Sequence, residues 1–475
     1  MQVELRPYQV EAIEMIDAEF RKGNRRILLC ASPGLGKTTI SAFMIQRAIK
    51  YNMPCLFVVR GRDLVINASD RFREMKIDHS VYMSKDWRFE PKKLVQCCSV
   101  DTMFARDRYP HQDGSPLIFL DEAHKNYKKV FEMYPNAFII GMTGSPFAPD
   151  MSMYQSYVEP IKPYEARDMG FLVPDKIFCP HIIDISAVKI TAGDFNQKQL
   201  ESVVTNSAVV GNVISDWLEF GENRPTVVFA TSINHSLQLK HAFIDVGIKA
   251  IHCDASSTDE ERKKAREDLE SGKVKVLCNV DIFSVGWNCP SVSCIVLARP
   301  TWSLVWYLQA VGRGVRDFPG KSDCIVLDNA ANVFRHGTHF KVREISLEPK
   351  EKKTKKEYDT KITSCSECYF IYDPTIHKAC PDCGHIKEAK ERRVNEIDGK
   401  LIEYEEHQDD TAKRRKAMII KKFRELEWGR KKGNLRPEWT FIQLRKDYSR
   451  EEMVHLKEVV MVPERFLPLP NHPLQ

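Results

Sequence analysis

The sequence predicts an α/β protein: two tandem doubly wound, parallel-sheet lobes, then a small cysteine module and a basic, partly helical tail. Three observations predict this. Short, continuously apolar runs alternate with helical patterns over the first 345 residues, the grammar of βαβ units. Four cysteines then form two CxxC pairs, and beyond them residues 411–436 carry 11 basic and 2 acidic groups. The rest of the chain is close to neutral, with an overall net charge of +6, so the basic character is local rather than global.

At about 150 residues per domain, 475 residues imply roughly three units. Hydrophobic residues at 43% and charged residues at 29% exclude disordered, collagenous and coiled-coil classes. No run approaches the roughly 18–20 apolar residues of a membrane span, so no membrane partner is expected. Glu4 stands where a signal peptide would have its apolar stretch, which argues against export. Ten of the 14 cysteines are scattered singly or inside apolar runs, which suits a reducing compartment, the cytoplasm.

The expected strands of the first lobe, residues 1–150, are 27–30, 56–59, 117–120 and 138–142. Those of the second lobe are 226–230, 274–278, 294–298 and 324–327, within residues 151–345. Each run is apolar on both faces, as a strand covered by helices on both sides must be. Pro149, Pro160, Pro163, Pro174 and Pro180 interrupt the pattern, so 151–185 reads as a connector. A charged linker is expected over 346–361, the cysteine module over 362–388 and the tail over 389–475.

The string ILLCASPGLGKTTISAF runs from strand through a glycine loop into a helix. Ala31, Ser32, Pro33, Gly34, Leu35, Gly36, Lys37 and Thr38 fit a phosphate loop, with Ala31 in place of the usual glycine. Small residues let successive backbone N–H groups face phosphates at a helix N-terminus. Lys37 is expected to neutralise the β- and γ-phosphates of ATP, Thr38 to hold Mg²⁺ through its hydroxyl, and Thr39 to lie beside them. In LIFLDEAH an apolar strand delivers Asp121 for the Mg²⁺ and Glu122 for the attacking water. A solvated turn after a strand is the bland alternative, and the phosphate loop upstream argues against it. Finally, Arg313 and Arg316 in QAVGRGVR stand three apart on one helical face. Alone they suit a surface ion pair. Beside a phosphate loop and an acidic pair they suit arginine fingers supplied by the second lobe.

RPYQ at 6–9, the phosphate loop, DEAH at 121–124, TGSP at 143–146 and QAVGRGVR at 309–316 stand in the order of the superfamily 2 helicases. The chain resembles the phage-encoded and bacterial RadD-like DNA helicases of that superfamily over roughly residues 1–345. The resemblance implies two RecA-like lobes with ATP in the cleft between them. It implies that Arg6 and Gln9 contact adenine and that Thr143 and Ser145 couple nucleotide state to lobe motion. It further implies that Gln309 joins Arg313 and Arg316 at the site, and that Gly286 lies beside the nucleotide. Three departures stand out. TGSP replaces TATP, Gly286-Trp287-Asn288 replaces GFD, and Leu64 with Asn67 occupies the place of an L-x-x-Q nucleic-acid contact.

Cys365, Cys368, Cys380 and Cys383 can give four thiolates to one tetrahedral Zn²⁺. Four thiolates leave no open position, so the zinc would be structural, and a module this short would draw its folding energy from the metal. A redox CxxC is the alternative, disfavoured because the two pairs lie so close together. In the tail, Trp428, Trp439 and Tyr448 interleave with Lys431, Lys432, Arg436 and Arg445. That pattern suits phosphate contacts with base stacking, and equally suits a helix packing its aromatics on the lobes.

The combined reading is an ATP-dependent DNA helicase or translocase using ATP, Mg²⁺ and Zn²⁺. It would act on single-stranded, forked or branched DNA in replication, recombination or repair, in a bacterial cell or a phage-infected host. Single-strand-binding and other replication or repair proteins are the further partners expected. Two rival readings stay open: an RNA helicase, because the motor motifs handle backbone and not sugar identity, and an inactive zinc-ribbon scaffold. A metabolic phosphate-loop kinase is disfavoured by the cross-lobe arginine string.

Overall fold

The computed structural model describes residues 4–148, 150–180, 188–191, 194–205, 207–282, 289–349, 362–386 and 443–444. By packing, residues 1–164 with 172–387 form one unit that holds both sheets, and residues 165–171 with 388–475 form a second. Gly286, the linker from 350 to 361, and the basic segment with Trp428, Trp439 and Tyr448 lie outside the described residues.

The first lobe is a seven-stranded sheet. Its strands are β1 (Arg26–Cys30), β2 (Cys55–Val59), β3 (Ser80–Tyr82), β4 (Val95–Ser99), β5 (Leu117–Asp121), β6 (Phe138–Thr143) and β7 (Ser156–Val158). They lie in the order β3-β4-β2-β5-β6-β1-β7, every pair parallel. Side chains alternate between the two faces of a strand, so each apolar run feeds two cores at once. Ile27 and Leu29 join Phe57, Val59 and Phe119 on the face covered by α1 (Pro7–Arg21), α2 (Lys37–Lys50) and α3 (Arg62–Glu74). Leu28 and Cys30 join Leu56, Val58 and Ile118 on the other face, with α4 (Val100–Arg106) and α5 (Lys128–Met133). A sheet buried on both sides explains why these strands read as unbroken hydrophobic runs.

The second lobe holds β8 (Asp175–Phe178), β11 (Thr226–Phe229), β12 (Ala250–Cys253), β13 (Val276–Asn279), β14 (Cys294–Leu297) and β15 (Cys324–Leu327). Their order is β12-β13-β11-β14-β15-β8, again parallel throughout. A short hairpin of β9 (Ile190–Thr191) and β10 (Asp194–Phe195) precedes α7 (Gln197–Val204). The helices α8 (Ser207–Phe220), α9 (Ile233–Asp245) and α10 (Asp259–Glu270) follow. The chain then forms α11 (Leu304–Gly314) and α12 (Asn332–His336), while α6 (Pro163–Asp168) lies between the two sheets in sequence. Thr258 opens α10 with a capping box, its hydroxyl accepting from Glu261 N while the Glu261 carboxylate accepts from Thr258 N.

Two parallel α/β sheets are therefore present, as the apolar runs predict. The domain division is corrected. The first sheet does not end at 150 but takes β7 at 156–158, and the second begins at 175 with β8. The proline-rich stretch expected as a connector thus supplies an edge strand to each lobe. Proline is confined to edges and strand starts because it lacks a ladder donor, and Pro174 immediately precedes β8.

The cysteine module is corrected in a similar way. It docks on the second lobe rather than standing apart. Its two strands, β16 (Thr363–Ser364) and β17 (Ile371–Tyr372), pair antiparallel. Phe370 bridges to Phe178 of β8, and Cys179 N donates to the Tyr369 carbonyl at 3.1 Å. The Phe370 ring meets Phe178 edge-on at 5.6 Å, and Phe178 stacks on Phe220 at 5.1 Å. The module therefore covers an otherwise open sheet edge.

Candidate nucleotide cleft and metal centre

Parallel register assembles the first half of the site. Cys30 pairs with Thr143, and Asp121 pairs with Met142, so β1, β6 and β5 end side by side. The phosphate loop, TGSP and DEAH strings therefore emerge at one edge, the carboxyl ends of the strands where α/β proteins bind ligands. Gly36 caps α2 at φ 74°, a left-handed conformation that turns the loop into the helix. Its amide environment is fixed from α1: the Leu35 carbonyl accepts from Tyr8 Oη at 3.0 Å and from Gln9 Nε2 at 3.1 Å.

The cleft has a volume of about 580 Å³, and both lobes line it. Pro33, Gly34, Gly36, Lys37 and Thr38 come from the phosphate loop, Asp121 and Glu122 from the end of β5, and Gln309, Arg313 and Arg316 from α11. The structure thus brings together every residue expected to act on phosphate, metal or attacking water. The residues expected around the base are placed differently. Gln9 is buried, with its amide engaged on Leu35 and on Arg6 N–H, and Arg6 does not line the cleft. Ser32 and Leu35 are buried away from the cleft, and the Thr39 hydroxyl accepts from Arg71 Nη2 at 3.1 Å. Leu64 and Asn67, expected to face nucleic acid, instead form part of the cleft wall.

Close approach of the lobes depends on two glycines. A Cβ placed on Gly144 would meet Pro33 Cδ at 2.7 Å, and one placed on Gly312 would meet Pro33 Cγ at 2.8 Å. Pro33 is thus held between TGSP of the first lobe and α11 of the second. The helix α11 is itself pressed onto β14, since a Cβ on Gly314 would stand 2.6 Å from Ile295 Cγ1. Its start is fixed by Ser303, whose Oγ accepts from Trp306 N. Farther along the interface, Arg62 pairs with Asp259 at 3.0 Å and Arg262 with Asp63 at 3.2 Å, joining α3 to α10 reciprocally. Exposed pairs of this kind are worth about 0–1 kcal/mol each, so they orient the lobes more than they hold them.

Glu122 sits at φ 50°, uncommon for a non-glycine residue and a form of strain that collects at functional sites. Its Oε2 accepts from Gln309 Nε2 at 3.1 Å, a direct cross-lobe contact. His124 is the participant that the sequence reading passed over. Its Nδ1 lies 3.1 Å from Thr143 Oγ1 and 3.4 Å from Glu122 Oε2, and its Nε2 lies 3.4 Å from Gln309 Nε2. With the Gln309 amide donating to Nε2, the imidazole carries its proton on Nδ1. Thr143 Oγ1 also accepts from Ser145 N at 3.0 Å, so one chain of polar contacts runs from TGSP through DEAH to α11. The available signal was the histidine of DEAH itself, next in line after the acidic pair.

Electrostatics favour an anionic guest. Burial holds Lys37 below the ordinary lysine range, opposed by Glu122 and Asp121. The Lys37 ammonium rests on the Ala31 carbonyl at 2.9 Å. Burial, with the Glu122 charge added, pushes Asp121 up to about 6. Burial lowers Arg313, and burial with the neighbouring Arg313 charge lowers Arg316 to about 9. Three cations crowded in a desolvated cleft are relieved by added negative charge. A triphosphate with Mg²⁺ fits this donor set: Lys37 and the loop amides for phosphates, Thr38 and Asp121 for the metal, Glu122 for a water.

The four cysteines form the second candidate centre. Their sulfurs all lie within 4.8 Å of one another, with Cys365 to Cys383 at 3.7 Å and Cys368 to Cys380 at 3.5 Å. Tetrahedral zinc with bonds of about 2.3 Å places its sulfurs about 3.8 Å apart, so the four thiols fit that ion. Gly384 follows at φ 75°, its N–H returning to the Cys380 carbonyl. His385 is taken up by Ser366 Oγ at 3.0 Å, outside the thiol cluster. None of the 14 cysteines is in a disulfide.

Comparison with known proteins agrees with this geometry. Residues 2–148 match the family described as Type III restriction enzyme, res subunit, and residues 209–317 match the Helicase conserved C-terminal domain. This chain carries the two domains of a superfamily 2 helicase. A 51.5 kDa protein of a Lactococcus phage (isolate 7-9) is 27% identical over 80% of this chain and 82% of its own length. A Schizosaccharomyces pombe protein named as a mitochondrial ATP-dependent helicase, irc3, is 26% identical over 74% of this chain and 61% of its own length. The endonuclease subunit of the Escherichia coli type I restriction enzyme EcoAI is 20% identical over 66% of this chain and 44% of its own length. This chain therefore spans about three fifths or less of the latter two relatives.

Among solved structures, a fragment of a HsdR subunit of a type I restriction enzyme from Vibrio vulnificus YJ016 shares the fold. Its TM-score is 0.57 and its identity 18%, covering 72% of this chain and 67% of that one. The chain is thus an ATP-dependent helicase-type enzyme, and ATP and Mg²⁺ are the cofactors its domains imply. Among the described residues no helix is long and apolar enough to cross a membrane.

Two outcomes follow from the geometry. Gly312→Ala should drive α11 away from Pro33 and lower kcat for ATP by about 10²-fold, the scale of a misplacement near 1 Å. Steady-state kinetics check this, and an unchanged kcat would show that the contact is not needed. Metal analysis of the purified chain should find one zinc, lost in a Cys380→Ser/Cys383→Ser double variant; full zinc content in that variant would refute the ligand set.

Proposed function

We propose that this chain is an ATP-dependent DNA helicase or translocase that acts on single-stranded, forked or branched DNA in replication, recombination or repair. The observation that carries the reading is the cross-lobe cleft. Lys37, Asp121 and Glu122 come from one lobe and Gln309, Arg313 and Arg316 from the other, so closure and chemistry are linked. In this reading Lys37 and the loop amides hold the phosphates, and Thr38 with Asp121 holds Mg²⁺. Glu122 orients the water, while Arg313 and Arg316 neutralise transition-state charge. Cleft closure on ATP and reopening after hydrolysis would move the lobes along a strand, a two-state cycle biased by the γ-phosphate.

DNA as the substrate is supported by the restriction-enzyme names among the relatives. It is also supported by a solved structure of similar fold, the ATP-dependent Type ISP restriction-modification enzyme LlaBIII bound to DNA, at TM-score 0.51 and 18% identity over 68% of this chain and 28% of that one. The surface adds a basic concavity of about 390 Å³ on the first lobe, lined by Arg60, Asn126, Lys128 and Lys129 beside Phe104 and Met133. Cationic and aromatic groups there suit a phosphate backbone with stacked bases. A structural zinc at the four cysteines, single-strand-binding or repair proteins as partners, and the cytoplasm of a bacterial cell or phage-infected host complete the proposal.

The test is ATPase activity with single-stranded, duplex, forked and four-way DNA, and with RNA. DNA should stimulate turnover, and Lys37→Ala should reduce it by at least about 10²-fold. Stimulation by RNA alone would overturn the DNA assignment, and a Lys37→Ala rate near wild type would overturn the cleft.

A further inference from the structure

A second cavity, of about 440 Å³, shares Gly144 with the nucleotide cleft but none of the charged residues of that cleft. Its walls include the first phosphate-loop residues, Ala31 and Ser32, together with Leu308 of α11 and the segment 339–345. This volume falls within the 300–1,000 Å³ typical of small-molecule sites.

His339 lies in its wall, 3% exposed, and neither ring nitrogen has a hydrogen-bond partner. A buried polar group left unpaired costs about 1–3 kcal/mol, and native proteins rarely leave one. Burial, with the Arg343 charge added, lowers the imidazole to about 3, so it is neutral at physiological pH and offers one donor and one acceptor. Arg343 does not compete for a guest in the cavity: its Nη atoms donate to the carbonyls of His336, Thr338, His339 and Lys341. The remaining walls bring the rings of Phe147, Tyr157 and Tyr164. A neutral imidazole among aromatic walls favours an uncharged, flat guest with donor and acceptor atoms on its edge.

We propose that this cavity binds a nucleobase, carried by a nucleoside, through hydrogen bonding to His339 and contact with the aromatic walls. Occupancy would be felt at the nucleotide cleft. His339 Cε1 stands 3.6 Å from the Cβ position of Gly312, the residue that also touches Pro33 and precedes Arg313. A guest bonded to His339 thus bears on the contact that seats α11 against the phosphate loop. The proposal is independent of which nucleic acid the motor tracks.

The base could arrive free or as part of a strand, and two arms separate these sources. Adenosine, guanosine, cytidine and thymidine are titrated calorimetrically into the full chain saturated with Mg²⁺ and a non-hydrolysable ATP analogue, so that the main cleft is filled. A tetranucleotide of each base is titrated in parallel. At least one nucleoside should bind one per chain. His339→Leu should weaken it about tenfold, the loss of one buried hydrogen bond. Val342→Trp, at a wall position 61% exposed, should obstruct entry without touching the core and weaken binding as well. Tetranucleotide binding lost in both variants, with nucleosides inert, would place the base on a strand and overturn the free-nucleoside form of the proposal. Absence of any binding, or binding unchanged in both variants, would overturn the site altogether. Should His339→Leu not fold, Val342→Trp decides alone.

Discussion

Pro33, wedged between Gly144 of one lobe and Gly312 of the other, is the contact on which the rest of the site depends. It sets how near α11 stands to the phosphate loop, and so whether Gln309 reaches Glu122 and whether Arg313 and Arg316 line the cleft. Neither glycine has a left-handed backbone, so their role is space rather than conformation. Protein interiors are packed densely enough that one added methyl at such a crossing must move a backbone. A proline ring cannot yield as a flexible side chain would, which makes the contact a rigid gauge of lobe separation.

Around that gauge the polar groups form a circuit that spans both lobes. His124 connects Thr143 to Glu122, and Gln309 connects Glu122 and His124 to α11. The cations on either side are held in a desolvated cleft that depresses Lys37, Arg313 and Arg316 together. Added negative charge is therefore drawn in most strongly when the lobes are together. Its removal leaves like charges facing one another and favours opening. This gives closure and hydrolysis a common cause without any further linkage element.

Much of this was legible in the sequence, for physical reasons that differ by element. The strands β1, β2, β5, β6, β11, β13, β14 and β15 stand out because a sheet buried on both faces needs unbroken apolar runs. By contrast β4, VQCCS, hides a buried Gln96 whose amide is satisfied by the Glu90 and Lys93 carbonyls, and so reads as a mixed segment. The strands β7 and β8 sit at sheet edges among prolines, where the pattern is weakest. The phosphate, acidic and arginine strings are contiguous, so their chemistry is visible residue by residue. The non-local pairings are not: nothing in RPYQ shows that Gln9 grips Leu35, and nothing in CxxC shows that Phe370 seals the edge of β8. The glycine of QAVGRGVR was visible, but its purpose appears only once Pro33 is beside it.

The account's central claim is that the second lobe supplies transition-state charge rather than ATP affinity. Equilibrium ATP binding and single-turnover hydrolysis by Arg313→Ala test it most directly, because the two measurements separate binding from chemistry. The account predicts near-normal ATP affinity with hydrolysis of the bound nucleotide slowed by about 10³-fold or more, the scale of an arginine finger. Loss of ATP affinity with normal turnover of whatever ATP still binds would contradict it.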